Sequence, residues 1–119
     1  MRLVEKLKDI RKTQRRKLLV PEFNPDGEPL AVFYFPATPR TLNIGHHILK
    51  EFQLEMTNQN IQCAYLAAMM LDENGDRLVP DADFIGFLEQ ADAEMVDRVA
   101  NEMGNKHDIS EAIETAKKN

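Results

Sequence analysis

Few residues in this chain have the type and spacing to do chemistry. His47, Glu51 and Glu55 recur at i, i+4 and i+8, so one face of a predicted helix could gather two or three metal ligands. No second histidine occupies a ligand spacing, and His107 stands alone in a polar segment. The same row is what an ordinary solvated helix face looks like, and no metal is assigned. Asp72, Asn74 and Asp76 imitate the first ligands of an EF-hand loop. That pattern needs glycine at its sixth position and a bidentate glutamate at its twelfth, where this chain has Arg77 and Asp83. A β-turn with Asn74-Gly75 at its tip accounts for the segment better.

Nucleophilic and acid–base chemistry finds no better footing. Cys63, the single cysteine, lies in an apolar helical stretch and reads as a small core residue. It cannot form an intramolecular disulfide and offers no metal-ligand pair. Ser110 is the only serine and falls inside a predicted capping motif. The carboxylates are scattered through capping and surface positions, no acid–base pair stands out, and no glycine-rich loop is present to cradle a phosphate. The expectation is a non-enzymatic protein without a cofactor.

The elements around these residues outline one domain. A chain of 119 residues with 43% apolar residues can bury one core and is not composed like a disordered segment. No run approaches the roughly 20 apolar residues that cross a bilayer, and the charged N-terminus lacks the apolar region of a signal peptide. A soluble protein of a reducing cytoplasm, without membrane contact, is expected.

Leu3, Leu7 and Ile10 predict an amphipathic helix over residues 2–16. Lys17–Phe23, in which Pro21 marks an edge strand or a strand end, and Leu30–Phe35 flank the turn signal Asn24-Pro25-Asp26-Gly27, which predicts a β-hairpin over 17–36. Thr38 as N-cap and Pro39 at the first helical position open a helix reaching Met56, with Leu42, Leu49, Phe52 and Met56 on one face. Asn58 or Gln59 opens the next, running to about Leu71. Its segment Ala64–Leu71 is apolar all round, so it is either central in the domain or covered by another subunit.

Pro80 and Asp81 start a helix with Phe84, Ile85 and Leu88 inward. Asp92 caps another that carries Met95, Val96, Val99 and Met103 and stops at Gly104. Asp108 and Glu111 cap a short last helix with Ile109, Ala112, Ile113 and Ala116 on one face. The predicted fold is α+β, mainly α, with one β-hairpin packed on five or six short helices in a single domain spanning 1–119.

What survives this weighing is contact chemistry. Residues 1–17 hold eight basic groups against Glu5 and Asp9, a charge of +6, and the remaining 102 residues carry −11. A basic arm on an acidic body signals a partner. The arm has no aromatic residue and only Gln14 as an amide, so Arg11, Lys12, Arg15 and Arg16 are expected to meet an acidic protein surface rather than nucleic acid. On the Thr38–Met56 helix, Ile44 and Leu54 point away from the apolar stripe. With the adaptable Met69 and Met70 they are candidates for contact with an oligomer mate or another partner, and core filling is the equal alternative for the methionines.

The stretch Ala64–Met103 (AYLAAMMLDENGDRLVPDADFIGFLEQADAEMVDRVANEM) resembles the C-terminal half of tail assembly chaperones of long-tailed double-stranded DNA phages, the lambda G-protein type. The shared pattern is an apolar helix, an acidic Asn-Gly or Asp-Gly turn, a short Leu-aromatic segment and an Asp-rich helix start. Two helices follow, ending as Val96-Asp97-Arg98 does here. The hairpin and Thr38-Pro39-Arg40 resemble the N-terminal half less specifically, so the likeness covers about residues 17–104. It departs at Val79-Pro80, where an aromatic and a small polar residue are expected.

The resemblance implies a protein of the host cytoplasm, absent from the mature virion, that binds the tape measure protein as a homo-oligomer and keeps it soluble. It also implies recruitment of the tail tube protein through a longer form made by ribosomal frameshifting. The ending Ala116-Lys117-Lys118-Asn119 can be encoded with an A-AAA-AAC slip site, which makes this chain a candidate short form. The alternative function is a small DNA-binding regulator using the basic N-terminal helix.

Overall fold

A computed structural model describes residues 2–104. The helix predicted over 105–119, with Asp108, Ser110 and His107, lies outside them. Among the described residues the fold is α+β and mainly α, with five helices and one antiparallel hairpin, as the sequence predicts. In chain order these are α1 (Leu3–Lys12), β1 (Arg16–Val20), β2 (Leu30–Tyr34), α2 (Pro39–Glu51), α3 (Asn58–Met69), α4 (Phe84–Gln90) and α5 (Ala93–Met103). Short 3-10 turns, Pro21–Phe23 and Asp81–Asp83, follow β1 and precede α4.

The core is built around α3. From Cys63 to Met70 every side chain is buried, because α2, α4 and α5 all pack against this one helix. Of the two readings open for its all-apolar segment, the central position is the one observed. α2 approaches it closely at Gly45, where a β-carbon would lie 2.6 Å from the Tyr65 ring. Glycine is therefore required there for helix–helix spacing, although it weakens a helix interior.

α2 begins as predicted. The Thr41 N–H donates to the Thr38 hydroxyl at 3.2 Å, the Thr38 N–H donates to the Thr41 hydroxyl at 3.3 Å, and Pro39 sits at the first helical position. It ends five residues before the predicted Met56. Gln53 takes φ 53°, its N–H donates to Lys50 O, and the Leu54 N–H donates to Leu49 O. This pair of bonds is a Schellman motif with glutamine where glycine is usual, and it turns Leu54 back toward the core.

The hairpin pairs Leu18 with Val32 and Arg16 with Tyr34, and its inner face sends Val20, Val32 and Tyr34 into the core. β1 stops at Val20, the strand end that Pro21 marks, since proline has no N–H to continue a ladder and opens a 3-10 turn instead. Beyond β2, Leu71 exchanges both backbone hydrogen bonds with Phe33 (2.9 and 2.8 Å) and bridges Arg77 on its other side. α3 therefore ends at Met69, two residues before the predicted limit, because Leu71 is taken up in this rung.

The Asp72–Arg77 turn is held by its own chemistry. The Asp72 carboxylate accepts from the N–H groups of Asn74 (2.8 Å) and Asp76 (3.0 Å), and Gly75 supplies φ 91°. The carboxylate that would have led an EF-hand is thus engaged by its own loop. Arg77 then donates to Ala67 O at the end of α3, to Val79 O and to the Asp81 carboxylate (2.9, 3.0 and 2.8 Å). α5 starts on the predicted Asp92 cap, which accepts from the Met95 N–H at 3.0 Å, and buries Met95, Val96, Val99 and Met103.

Candidate interaction surface

α1 buries no residue of its own, yet it is not adrift. The Arg11 guanidinium stands 4.9 Å from the Phe35 ring centre and donates to Pro36 O at 2.8 Å. Arg15 stands 4.1 Å over Phe33 and donates to Glu73 O at 2.9 Å. Each guanidinium stacks on an aromatic face, an attraction of about 0.5–1 kcal/mol at an exposed position. Two basic residues expected to face a partner thus clamp α1 onto the hairpin's outer side.

The helix is also shorter than predicted. The Thr13 hydroxyl donates to Ile10 O at 2.6 Å and closes the last turn, so Arg15 lies in the connection and Arg16 in β1. Lys12 and Arg16 are exposed, Lys12 with its ammonium 3.9 Å from Asp9.

The clamp leaves the apolar row of α1 in the open. Leu3 is 69% exposed, Leu7 53% and Ile10 50%, with Val4 beside them and Leu19 of β1 also exposed. At about 100° per residue, Lys6 and Arg11 flank this row, while Glu5 and Asp9 fall on the opposite side. With Arg11 already engaged at Phe35 and Pro36, Lys6 is the cation this edge of the row offers to a partner that is apolar in the middle.

The apolar contact candidates named from the sequence fall elsewhere. Met69 and Met70 are 5% and 0% exposed and belong to the core, so they present no surface. Ile44 is half-buried against the core, and so is Leu54, brought in by the turn at Gln53. The turn at Gln53 breaks the helix predicted to reach Met56 and so changes the side on which Leu54 falls. The signal for the row actually exposed is the spacing of Leu3, Leu7 and Ile10, which predicts an amphipathic helix without saying which way its apolar face points.

A second feature lies at the junction of the first 3-10 turn, α4 and α5. Glu22, Phe23, Phe87, Gln90, Ala91, Asp92 and Met95 line an open groove of about 280 Å³. Its floor is apolar and its rim carries Glu22 and Asp92. Arg98 donates to Glu22 and lies 3.6 Å from Glu102. A backbone hydrogen bond at Glu22 and then the Arg98 guanidinium hold the Glu22 carboxyl below its ordinary range. Residues 81–102 contain seven carboxylates and a single cation, Arg98. Sequence reading missed this groove, because its floor joins residues some seventy positions apart.

The remaining chemical candidates separate. His47 and Glu51 form an exposed pair at 3.4 Å, but Glu55 lies past the end of α2, so the three do not share a helix face. Among the described residues no group of three potential metal ligands comes together. Cys63 is buried, and burial pushes its thiol up to about 11, the opposite of what a nucleophilic cysteine requires. Tyr65 is pushed up to about 12 by burial, and its hydroxyl finds no hydrogen-bond partner. Among the described residues no helix is long and apolar enough to cross a membrane. Comparison of the chain with protein-family models, with curated proteins and with solved structures finds no match.

Proposed function

We propose that this chain is a tail assembly chaperone of a long-tailed phage: it binds the tape measure protein, keeps it soluble in the host cytoplasm and helps recruit tail tube subunits. The observation that carries the reading is the exposed row Leu3, Leu7 and Ile10 on a helix that buries nothing in its own domain. A holdase needs apolar surface that is not consumed by its own core, and mass action then favours the solubilised client. Here α3, α2 and α5 fill the core without help from α1.

The element order adds support. After the hairpin come a helix opened by Thr38-Pro39, an apolar helix, an acidic turn and two further helices, the order the resemblance implies. The contact surface moves from Ile44, Leu54, Met69 and Met70 to α1. A DNA-binding regulator is the weaker reading, because Arg11 and Arg15 are engaged with Phe35 and Phe33.

Two measurements on natural producing cells test the proposal. Affinity capture of this chain should co-purify a long helical tape measure protein, and the Leu7→Asp/Ile10→Asp variant should lose it. Mass spectrometry should find a minor longer protein sharing residues 1–116. Capture that returns no such client, together with only the 119-residue form, would overturn the reading.

A further inference from the structure

The rung between Phe33 and Leu71 fixes which backbone groups of β1 face outward. Phe33 gives both its N–H and its C=O to Leu71, at 2.9 and 2.8 Å, so neither points at β1. Its cross-strand partner Lys17 then belongs to a pair without hydrogen bonds, and such pairs alternate with bonded ones along an antiparallel ladder. Lys17 and Leu19 therefore turn their N–H and C=O groups to the open side of β1, while Arg16, Leu18 and Val20 bond to β2. Among the described residues no other group takes up these two donors and two acceptors. The side chains of Arg16, Lys17 and Leu19 are exposed as well, Leu19 at 51%.

We propose that β1 receives an extended acidic segment of a partner protein as a third strand. Donors and acceptors alternate along the open side, and another peptide backbone matches that arrangement. A nucleic-acid phosphate only accepts, so it would leave both carbonyls unpaired.

Side chains choose the segment, as they do wherever a peptide adds to a sheet. Lys17 and Leu19 lie on the outer face with Phe33, and Arg16 and half-buried Leu18 lie on the inner one. Arg15, stacked on Phe33, adds a further positive charge at the same end. An antiparallel strand would set two apolar residues opposite Leu19 and Leu18, followed by two carboxylates opposite Lys17 and Arg16. Opposite charges facing across a ladder attract and like charges repel. A second copy of this chain does not fit, because β1 has no carboxylate and β2 is bonded on both sides.

The site uses no residue of the Leu3, Leu7 and Ile10 row and does not rest on the tape measure reading. It is tested on purified full-length protein with no client present, so either proposal can fail alone. Isotope-labelled protein is titrated with a synthetic peptide in which two valines precede two glutamates between flanking threonines. Amide hydrogen exchange is then read residue by residue.

In the free protein the Lys17 and Leu19 amides should exchange at least about ten-fold faster than that of Leu18, which bonds to β2. The peptide should slow Lys17 and Leu19 at least about ten-fold and leave Leu18 unchanged. Leu19→Pro removes one outward N–H at an edge position, where proline is tolerated, and should weaken binding at least about ten-fold. Lys17→Glu keeps the whole backbone and should reverse the preference, so that a peptide with lysines for glutamates binds the variant better. Far-ultraviolet circular dichroism checks each fold. Lys17 and Leu19 amides already slow in the free protein, or unmoved by peptide at about 2 mM, would overturn the proposal. So would a Lys17→Glu variant that still prefers glutamates, or a short single-stranded oligonucleotide that protects these amides where the peptide does not.

Discussion

The helices α1 and α3 are of similar length, ten residues against twelve, but they are embedded in opposite ways. α3 is apolar all round and buried from Cys63 to its end. α1 has an apolar row that faces outward, and two arginines tether it from the side. The body's stability therefore resides around α3, while α1 is held by weak polar clasps and keeps its apolar atoms available. Apolar residues at helical spacing mark a helix that wants a partner, and the pattern alone does not say whether that partner lies in the same domain.

Substitutions can sharpen this contrast. The largest effect is expected at Phe84, fully buried and stacked on Phe52 at 5.8 Å between ring centres. Phe84→Ala should cost about 3–5 kcal/mol by urea unfolding, the range for emptying an aromatic core site. Arg77→Ala comes next, at about 2 kcal/mol, because it strips hydrogen bonds from Ala67 O, Val79 O and Asp81 together. The measurement is again the unfolding midpoint, and a change below about 0.5 kcal/mol would show that the turn does not brace α3.

Tyr65→Phe should act in the opposite direction. It removes a buried hydroxyl that has no partner, so the variant is expected to be more stable by about 1 kcal/mol and to melt at a higher temperature. The smallest effect belongs to α1. Leu7→Ser/Ile10→Ser should leave stability within about 0.5 kcal/mol of wild type, since both side chains already face water. A loss approaching that of Phe84→Ala would erase the distinction between the two helices.

Where a local rule decides an element, the sequence sufficed. Thr38-Pro39 opened α2, Asp92 capped α5, and Asn74-Gly75 formed the turn, because each depends on side chain and backbone within a few residues. The four inward residues of α5 were legible from periodicity for the same reason. Three features depended on something non-local. Gln53 in a left-handed conformation carries no strong sequence signal, and it is held there by carbonyls of the preceding turn and by Leu54 returning to the core. Leu71 looked helical because its pairing partner, Phe33, lies far back in the chain. The candidate surface was the least legible part. Exposure of α1 follows from Phe33 and Phe35 offering rings to Arg15 and Arg11, and no spacing rule within α1 reveals that.

The rung at Leu71 also decides what β1 must guard against. β2 is bonded along one side to β1 and at Phe33 to Leu71 on the other, so its backbone is enclosed. The outer side of β1 has no such neighbour among the described residues, and Leu19 is exposed there. An uncovered strand edge is a template for pairing with another molecule, and charged side chains are a common guard. Arg16 and Lys17 stand at the start of β1, so two such edges meeting parallel and in register would bring four cations together. The basic residues beside the arm thereby act as a safeguard, discouraging the sheet-to-sheet growth that ends in aggregates.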